Sequence, residues 1–374
     1  MGRRAGVWLF GARGSVATTT IAGAAALRHG APPAGVVTEL PDFADAGLVP
    51  TDHLAFGGHD VVDTPLTKQV ERLIAGGVLP AGLDGLISAE LAEAERNLVL
   101  LPAPRGSQYD QVRRIAEDIR TFRLRNDLEQ VVAINVASTE PPYAIDDLDL
   151  GRLREALAGS EPVLPASSLG ALAAFEAGAA YVDFTPSPSI RPAAVREWAI
   201  DRGVPYGGQD AKTGETLLKS VLAPMFAARA LPVHAWSGTN LLGGGDGATL
   251  ADPRAAESKN ISKERGLSEL LGDVEGQVHI DYVDSMGDWK TAWDHIVFSG
   301  FLGVRMAMQF TWQGCDSALA APLVLDLARL SVRALERGLV GAMPFLGFYF
   351  KDPVDSTEHS LVRQYDELVC WVRS

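Results

Sequence analysis

Short, uniformly apolar runs alternating with amphipathic stretches constrain this chain more than any other feature. Over the first 205 residues, strands are expected at Val7–Phe10, Gly35–Thr38, Leu98–Leu101, Val131–Val136 and Ala180–Phe184, with helices near Ser15–His29, Asp110–Arg125 and Ser168–Ala177 between them. Strands separated by helix-length segments pair in parallel through crossovers, so the expected class is α/β with a parallel sheet. From about Tyr206 the texture changes. Glycine-rich segments (Tyr206-Gly-Gly-Gln-Asp and Leu242-Gly-Gly-Gly-Asp-Gly) interleave with lysines, and Val278–Val283 and Met306–Trp312 alternate in a way that suits a half-exposed antiparallel sheet. An apolar-periodic helix follows from about Ser317 to Arg337, with Asp316 placed to cap it. At about 150 residues per domain, the length of 374 residues suits two domains.

The first strand runs into a glycine turn, Val7-Trp-Leu-Phe-Gly11-Ala-Arg13-Gly14-Ser15-Val16-Ala17, and then into a helix. Strand, tight turn and helix N-terminus together form a diphosphate-binding context. Gly11 and Gly14 fit a GxxGxxA variant, Arg13 stands at a usual glycine position and Ala17 replaces the last glycine. An ordinary structural turn is the competing reading. Glu39, at the end of the expected second strand, suits either a ribose hydroxyl or a solvated strand end.

Positive charge is distributed unevenly. Of 33 basic residues only seven are lysines, and six of those (Lys212, Lys219, Lys259, Lys263, Lys290 and Lys351) fall between positions 212 and 351. Arginine stays protonated, whereas a lysine can shift its pKa and move a proton, so the clustering points to chemistry. Lys212-Thr213-Gly214-Glu215-Thr216 precedes an apolar helix and suits a phosphate at a helix start, or a well-capped helix with Glu215 in its first turn. Lys259 and Lys263 are four apart, a spacing that suits a dianion or a developing oxyanion. Lys290 lies between Asp288 and Asp294, and Lys351 sits in an aromatic segment where desolvation is expected to lower its pKa.

A net charge of −14 argues against a general nucleic-acid or membrane-surface binder. Two cysteines without CxxC spacing indicate neither a disulfide framework nor a cysteine zinc site, and a reducing cytoplasm is the expected setting. Met1-Gly-Arg-Arg resembles a twin-arginine signal, but its apolar run is too short. No stretch of 18 apolar residues suggests a spanning helix.

Several ordered segments together resemble the inositol-phosphate synthase family over most of the chain. They are Gly11-Ala-Arg-Gly14, Phe56-Gly-Gly-His-Asp60, Ser138-Thr-Glu140, Gly208-Gln-Asp-Ala-Lys-Thr-Gly-Glu-Thr216, Asn240-Leu-Leu-Gly-Gly-Gly-Asp246, Ser258-Lys-Asn-Ile-Ser-Lys263, Gly287-Asp-Trp-Lys290, Cys315-Asp-Ser317 and Phe350-Lys-Asp-Pro353. The resemblance implies a Rossmann-type NAD-binding domain (1–205, completed by 317–374) interrupted by an α+β catalytic and tetramerisation domain (206–316). It implies an NAD-dependent, redox-neutral reaction in which glucose 6-phosphate is oxidised at C5, enolised, closed by intramolecular aldol attack on C1 and reduced again. By the same resemblance, Lys259, Lys290 and Lys351 serve the reacting carbons and Asp288 orients Lys290. Lys263, Thr213, Gly214, Glu215 and Thr216 hold the phosphate. Gly11, Arg13, Gly14, Ser15, Val16, Asp60, Ser138, Thr139, Asp210, Asp316 and Ser317 line the NAD site.

The expected assembly is a homotetramer in the cytoplasm, with a sugar phosphate as partner and neither nucleic acid nor membrane. Asp210, Asp316 and the phosphate could also hold a monovalent or divalent cation, though no spacing demands one. Thr213-Gly-Glu-Thr216 departs from the family's common Ser-Gly-Gln-Thr, and a carboxylate beside a phosphate is unfavourable unless paired. Gly243-Gly-Gly-Asp246 likewise replaces Gly-Asn-Asn-Asp. Alternatives are the same chemistry on fructose 6-phosphate to give a five-membered carbocycle, an NAD(P)-dependent sugar dehydrogenase, or a nucleotide sensor that kept only the fold.

Overall fold

A computed structural model describes residues 3–101, 103–141, 143, 148–243, 271–272 and 274–374. Lys259, Lys263 and the segment 244–246 lie outside the described residues. In chain order the strands are β1 (Ala5–Phe10), β2 (Leu54–Asp60), β3 (Leu98–Leu100), β4 (Gln130–Asn135), β5 (Ala180–Asp183), β6 (Pro205–Gly208), β7 (Val233–Leu242), β8 (Val278–Tyr282), β9 (Trp289–Ser299), β10 (Arg305–Cys315) and β11 (Gly341–Ala342).

Seven of them form one parallel sheet in the order β11-β6-β5-β4-β1-β2-β3. The chain builds outward from β1 to β3, then returns to the other side of β1 with β4. Between β1 and β4 it therefore has the topological switch point at which open α/β sheets bind ligands. β1 and β5 are buried along their whole length. Helices Ser15–Arg28 and Asp316–Glu336 cover one face of the sheet, and helices Gln108–Arg125, Ala166–Glu176 and Ala193–Arg202 the other. Among the described residues no helix is long and apolar enough to cross a membrane.

The expected strand at Gly35–Thr38 does not form. Val37–Glu39 is instead a single 3-10 turn, because its amides are taken by a side chain. Val37 N–H and Thr38 N–H donate to the two carboxylate oxygens of Asp326, each at 2.9 Å, and Thr38 Oγ1 donates to the same group. One helical turn on, the Arg329 guanidinium donates to Val49 O, Thr38 Oγ1 and Glu39 Oε1. Glu39 is thus held by Arg329 and does not end a strand. The true second strand, β2, contains Gly57 and Gly58, which hide it from propensity. A Cβ on Gly58 would lie 2.2 Å from Leu9 O, so glycine is what lets β2 approach β1.

The second sheet has the order β10-β9-β7-β8. β10, one of the two strands expected in an antiparallel sheet, pairs antiparallel with β9, and β9 with β7, but β8, the other, pairs parallel with β7, through a connection long enough for a crossover. In β9, Ala292, Asp294 and Ile296 face inward, against helix Glu215–Ala228, while Trp293 faces out. Lys290 falls on the inward set by the two-residue period of the strand.

Asp326 is a carboxyl that burial pushes up to about 6, against its bonds from Thr38 and Val37 and the nearby Arg329. Asp326→Ala should cost about 2–4 kcal/mol by leaving two buried amides unpaired. Because the folded pKa is raised, the carboxyl contributes most below its unfolded value of 3.8 and progressively less as pH rises through about 6. Denaturant unfolding should therefore show a larger gap between wild type and variant at pH 5 than at pH 8. A gap that grows with pH would contradict this.

Candidate functional site

At the end of β1, Gly11 has φ +81°, and a Cβ there would sit 2.6 Å from Ala137 Cα, so the turn requires glycine and abuts the segment carrying Ser138 and Thr139. Gly14 and Ser15 are exposed at the start of helix Ser15–Arg28, and no side chain caps it. Ser15 and Val16 therefore present first-turn amides, with the positive helix end behind them, at the switch point. An uncapped, exposed helix start beside a glycine turn fits the diphosphate of a dinucleotide. Gly11, Gly14, Ser15, Val16, Ser138 and Thr139 gather at this edge. Asp60 ends β2 and fixes the turn, accepting from Arg13 N–H at 2.7 Å and Val62 N–H at 2.9 Å.

Arg13 corrects the expectation drawn from it. Its guanidinium is buried and donates to Glu95 Oε1 and Thr64 O, so it braces the turn from behind and is not available to a diphosphate.

The lysines meet at a second place. Residues 208–212 and 349–354 are joined by backbone hydrogen bonds: Gln209 N–H to Asp352 O, Lys351 N–H to Asp210 O, Lys212 N–H to Tyr349 O and Val354 N–H to Gly208 O. This pairing sets Lys351 Nζ 2.7 Å from Asp210 Oδ1, with both side chains largely buried. Asp210 itself has φ +56°, held by its N–H to Thr185 O. Three residues on, Thr213 Oγ1 donates to Asp316 Oδ1 at 3.1 Å, and Lys290 Nζ donates to Thr213 Oγ1 at 3.3 Å and to Asp316. Gly214 makes room for this: a Cβ there would lie 2.7 Å from Lys290 Cε. A chain advances at most about 3.6 Å per residue, so the anchors of the two lysines are within roughly 11 Å of each other.

Asp288 does not orient Lys290 as expected. Its carboxylate accepts from Ser317 N–H and from Cys315 Sγ, so Asp288 serves the start of helix Asp316–Glu336, while Asp316, expected as the cap, pairs with Lys290. Asp210, Asp316 and Ser317 thus lie with the lysines. Burial, with Asp288 and Asp316 nearby, pushes the Cys315 thiol up to about 11, which leaves it unreactive. Among the described residues no three His, Cys, Asp or Glu side chains are grouped to hold a metal.

Glu215 resolves its own difficulty. Its side chain is buried and pairs with Lys219 at 2.5 Å, one helical turn on, next to Asp294. Its carboxylate is therefore matched within this cluster, and only its backbone is left to serve a phosphate. Burial, then the Glu215 charge, push Asp294 up to about 6 against Lys219 and the Trp236 N–H.

Two groups escaped the sequence reading. Asp183, at the end of β5, is fully buried and accepts from Thr185 N–H, Thr185 Oγ1, Ser189 Oγ and Asn135 Nδ2, a network that holds the floor under Asp210. Burial pushes it up to about 6 despite those bonds. The polar run Thr185-Pro-Ser-Pro-Ser after an apolar strand was its only signal. The second is Lys212, which burial pushes down to about 7 and whose Nζ donates to Gln364 Oε1. No sequence signal pointed to the burial of Lys212.

A myo-inositol-1-phosphate synthase family model matches residues 214–317. The chain is 31% identical over 395 aligned residues to inositol-3-phosphate synthase 1 of Bacteroides thetaiotaomicron, covering 95% of this chain and 91% of that protein. It is 30% identical to the inositol-3-phosphate synthase of Spirodela polyrhiza over 76% of this chain, but spans only 60% of that longer protein. Inositol-3-phosphate synthase from Caenorhabditis elegans superposes with a TM-score of 0.88 at 22% identity, covering 100% of this chain and 86% of that one. A myo-inositol-1-phosphate synthase-related protein from Thermotoga maritima gives a TM-score of 0.75 at 22% identity, covering 99% of each. At that identity the two structures establish a shared fold.

The burial of Lys212 has a pH signature. With its folded pKa lowered to about 7 from 10.5, the unfolded chain binds more protons between those values, so this group makes stability rise with pH there. The unfolding free energy of wild type relative to Lys212→Met should therefore increase from pH 7 to pH 10 in denaturant titrations. A flat or falling difference would place Lys212 in solvent.

Proposed function

The chain belongs to the inositol-3-phosphate synthase family, and on that premise we propose that it cyclises glucose 6-phosphate to an inositol monophosphate, using NAD with no net oxidation. It is an enzyme of the isomerase kind. The observation that carries the reading is the placement of Lys290 and Lys351 on anchors three residues apart, each beside a carboxylate. Enolisation and aldol closure each move a proton and each develop an oxyanion, so two closely placed amines match the need.

The first-turn amides of Ser15 and Val16, with Gly11, Gly14, Ser138 and Thr139 beside them, would hold NAD, which when bound would supply the transient oxidation that acidifies the carbon next to the new ketone. Asp60 and Arg13 keep that turn in shape. The rest falls to the chain. The Thr213 hydroxyl and the amides of Gly214, Glu215 and Thr216 at a helix start receive the phosphate. Lys290 Nζ, over the Gly214 turn, holds a proton between Asp316 and Thr213 and lies where it can stabilise an oxyanion. Lys351 Nζ does the same from Asp210. Family resemblance adds Lys259 beside the reacting carbons and Lys263 at the phosphate. Ser317 is buried and supports Asp316 through the start of its helix.

Residues 1–205 with 317–374 form the nucleotide-binding part of this reading, and 206–316 the catalytic part. Trp293, Phe301, Leu302 and Met306 are exposed on the second sheet and its hairpin, an apolar surface that suits self-association into a tetramer.

Incubating the protein with NAD and glucose 6-phosphate, while following reduced-cofactor absorbance and identifying product by NMR, tests the proposal. An inositol monophosphate without net reduced cofactor is expected. Accumulating reduced cofactor would make the protein a dehydrogenase instead. Lys290→Ala and Lys351→Ala should each lower kcat about 10²–10⁴-fold while NAD still binds. Near wild-type turnover in either variant would remove that lysine from the chemistry.

A further inference from the structure

Trp312 lies in β10 opposite Ala292 of β9, which places it on the sheet face that carries Lys290 and Asp294. Two glycines make a slot for the edge of its indole. A Cβ on Gly314 would come within 3.0 Å of Trp312 Nε1, and one on Gly214 within 3.4 Å of the same atom and 2.9 Å of Lys290 Nζ. The indole nitrogen and the Lys290 ammonium therefore converge on one point at the Gly214 turn. Trp312 Nε1 is buried and makes no hydrogen bond among the described residues.

That is unusual within this chain. The indole N–H groups of Trp8, Trp198, Trp236 and Trp289 all donate, to His59, Glu176, Asp294 and Gly76 O. An indole N–H can only donate, and a buried donor left unmade costs about 1–3 kcal/mol. What surrounds this one is Lys290 Nζ and the Thr213 hydroxyl, both bonded to the Asp316 carboxylate, and a helix start, a donor-rich setting that suits a further anionic or hydroxyl oxygen.

We infer that Trp312 is a specificity-determining residue, whose indole N–H donates to an oxygen of the sugar phosphate seated at the Gly214 turn. This rests on the proposed substrate site and extends it to a residue outside every motif that carries the family resemblance. A donor-only group beside a lysine selects for an oxygen acceptor and against an ammonium or a deoxy carbon at that position, because either leaves the N–H unpaired.

Trp312→Phe keeps an aromatic ring and removes the N–H. Calorimetric titration of the NAD-saturated protein with glucose 6-phosphate, and separately with inorganic phosphate, reads the loss. Affinity for at least one probe should fall roughly tenfold, the worth of one hydrogen bond to a charged acceptor. The Tm without either probe should stay level or rise, since a buried unpaired donor has gone. Opposite signs for stability and binding separate this role from simple packing. A variant that binds both probes as tightly as wild type overturns the inference, as does one whose unliganded Tm falls together with its affinity. If wild type binds phosphate but not glucose 6-phosphate, and the variant loses phosphate, Trp312 keeps its role and the proposed substrate falls. Wild-type protein that binds neither probe overturns both.

Discussion

Everything at the candidate site hangs on the backbone pairing of residues 208–212 with 349–354. These stretches are some 140 positions apart in the chain, as the ion pair between Asp210 and Lys351 measures directly. Their pairing fixes Lys351 against Asp210, and it aims the next residues, Thr213 and Gly214, at the second sheet. Lys290 then enters from β9 and completes the arrangement through Thr213 and Asp316. The segment therefore does two things at once. It joins the parallel sheet to the second one, and it carries Asp210 and Thr213, the partners of Lys351 and Lys290, three residues apart.

Each of these ammonium groups is matched by a carboxylate. Matching also keeps the amines oriented, which arginine could do, but arginine could not give up a proton. Beneath the turn the same logic recurs in Glu215, Lys219 and Asp294, where burial raises a carboxyl beside another carboxylate. Lysines of an acidic chain are thus gathered where an anionic substrate is proposed to bind, each paired with a carboxylate.

How far the sequence could be read depended on how local the deciding interaction was. Helices Ser15–Arg28 and Gln108–Arg125 follow from periodicity because their own residues supply the apolar face. The missed turn at Val37–Glu39 depended on Asp326, 288 positions away, taking the amides that a strand would have used. β2 was hidden because its glycines serve close approach to β1 rather than strand propensity. At the site, the lysine motifs stood out, but which carboxylate each would meet did not. Asp288 and Asp316 exchanged their expected roles because the geometry at the start of one helix decides it. Nor did the sequence show that burial would push the Lys212 ammonium down to about 7. Trp312 had no sequence signal, since its role comes from an unspent donor between two glycines.

The central claim is a reaction that borrows oxidation and returns it on the same molecule. The most direct measurement is turnover of glucose 6-phosphate carrying deuterium at C5, in the presence of unlabelled NAD, with the product analysed by NMR and mass spectrometry. The account predicts an inositol monophosphate that retains the deuterium on that carbon. Deuterium recovered in the released cofactor, or a product that has lost it, would contradict the account.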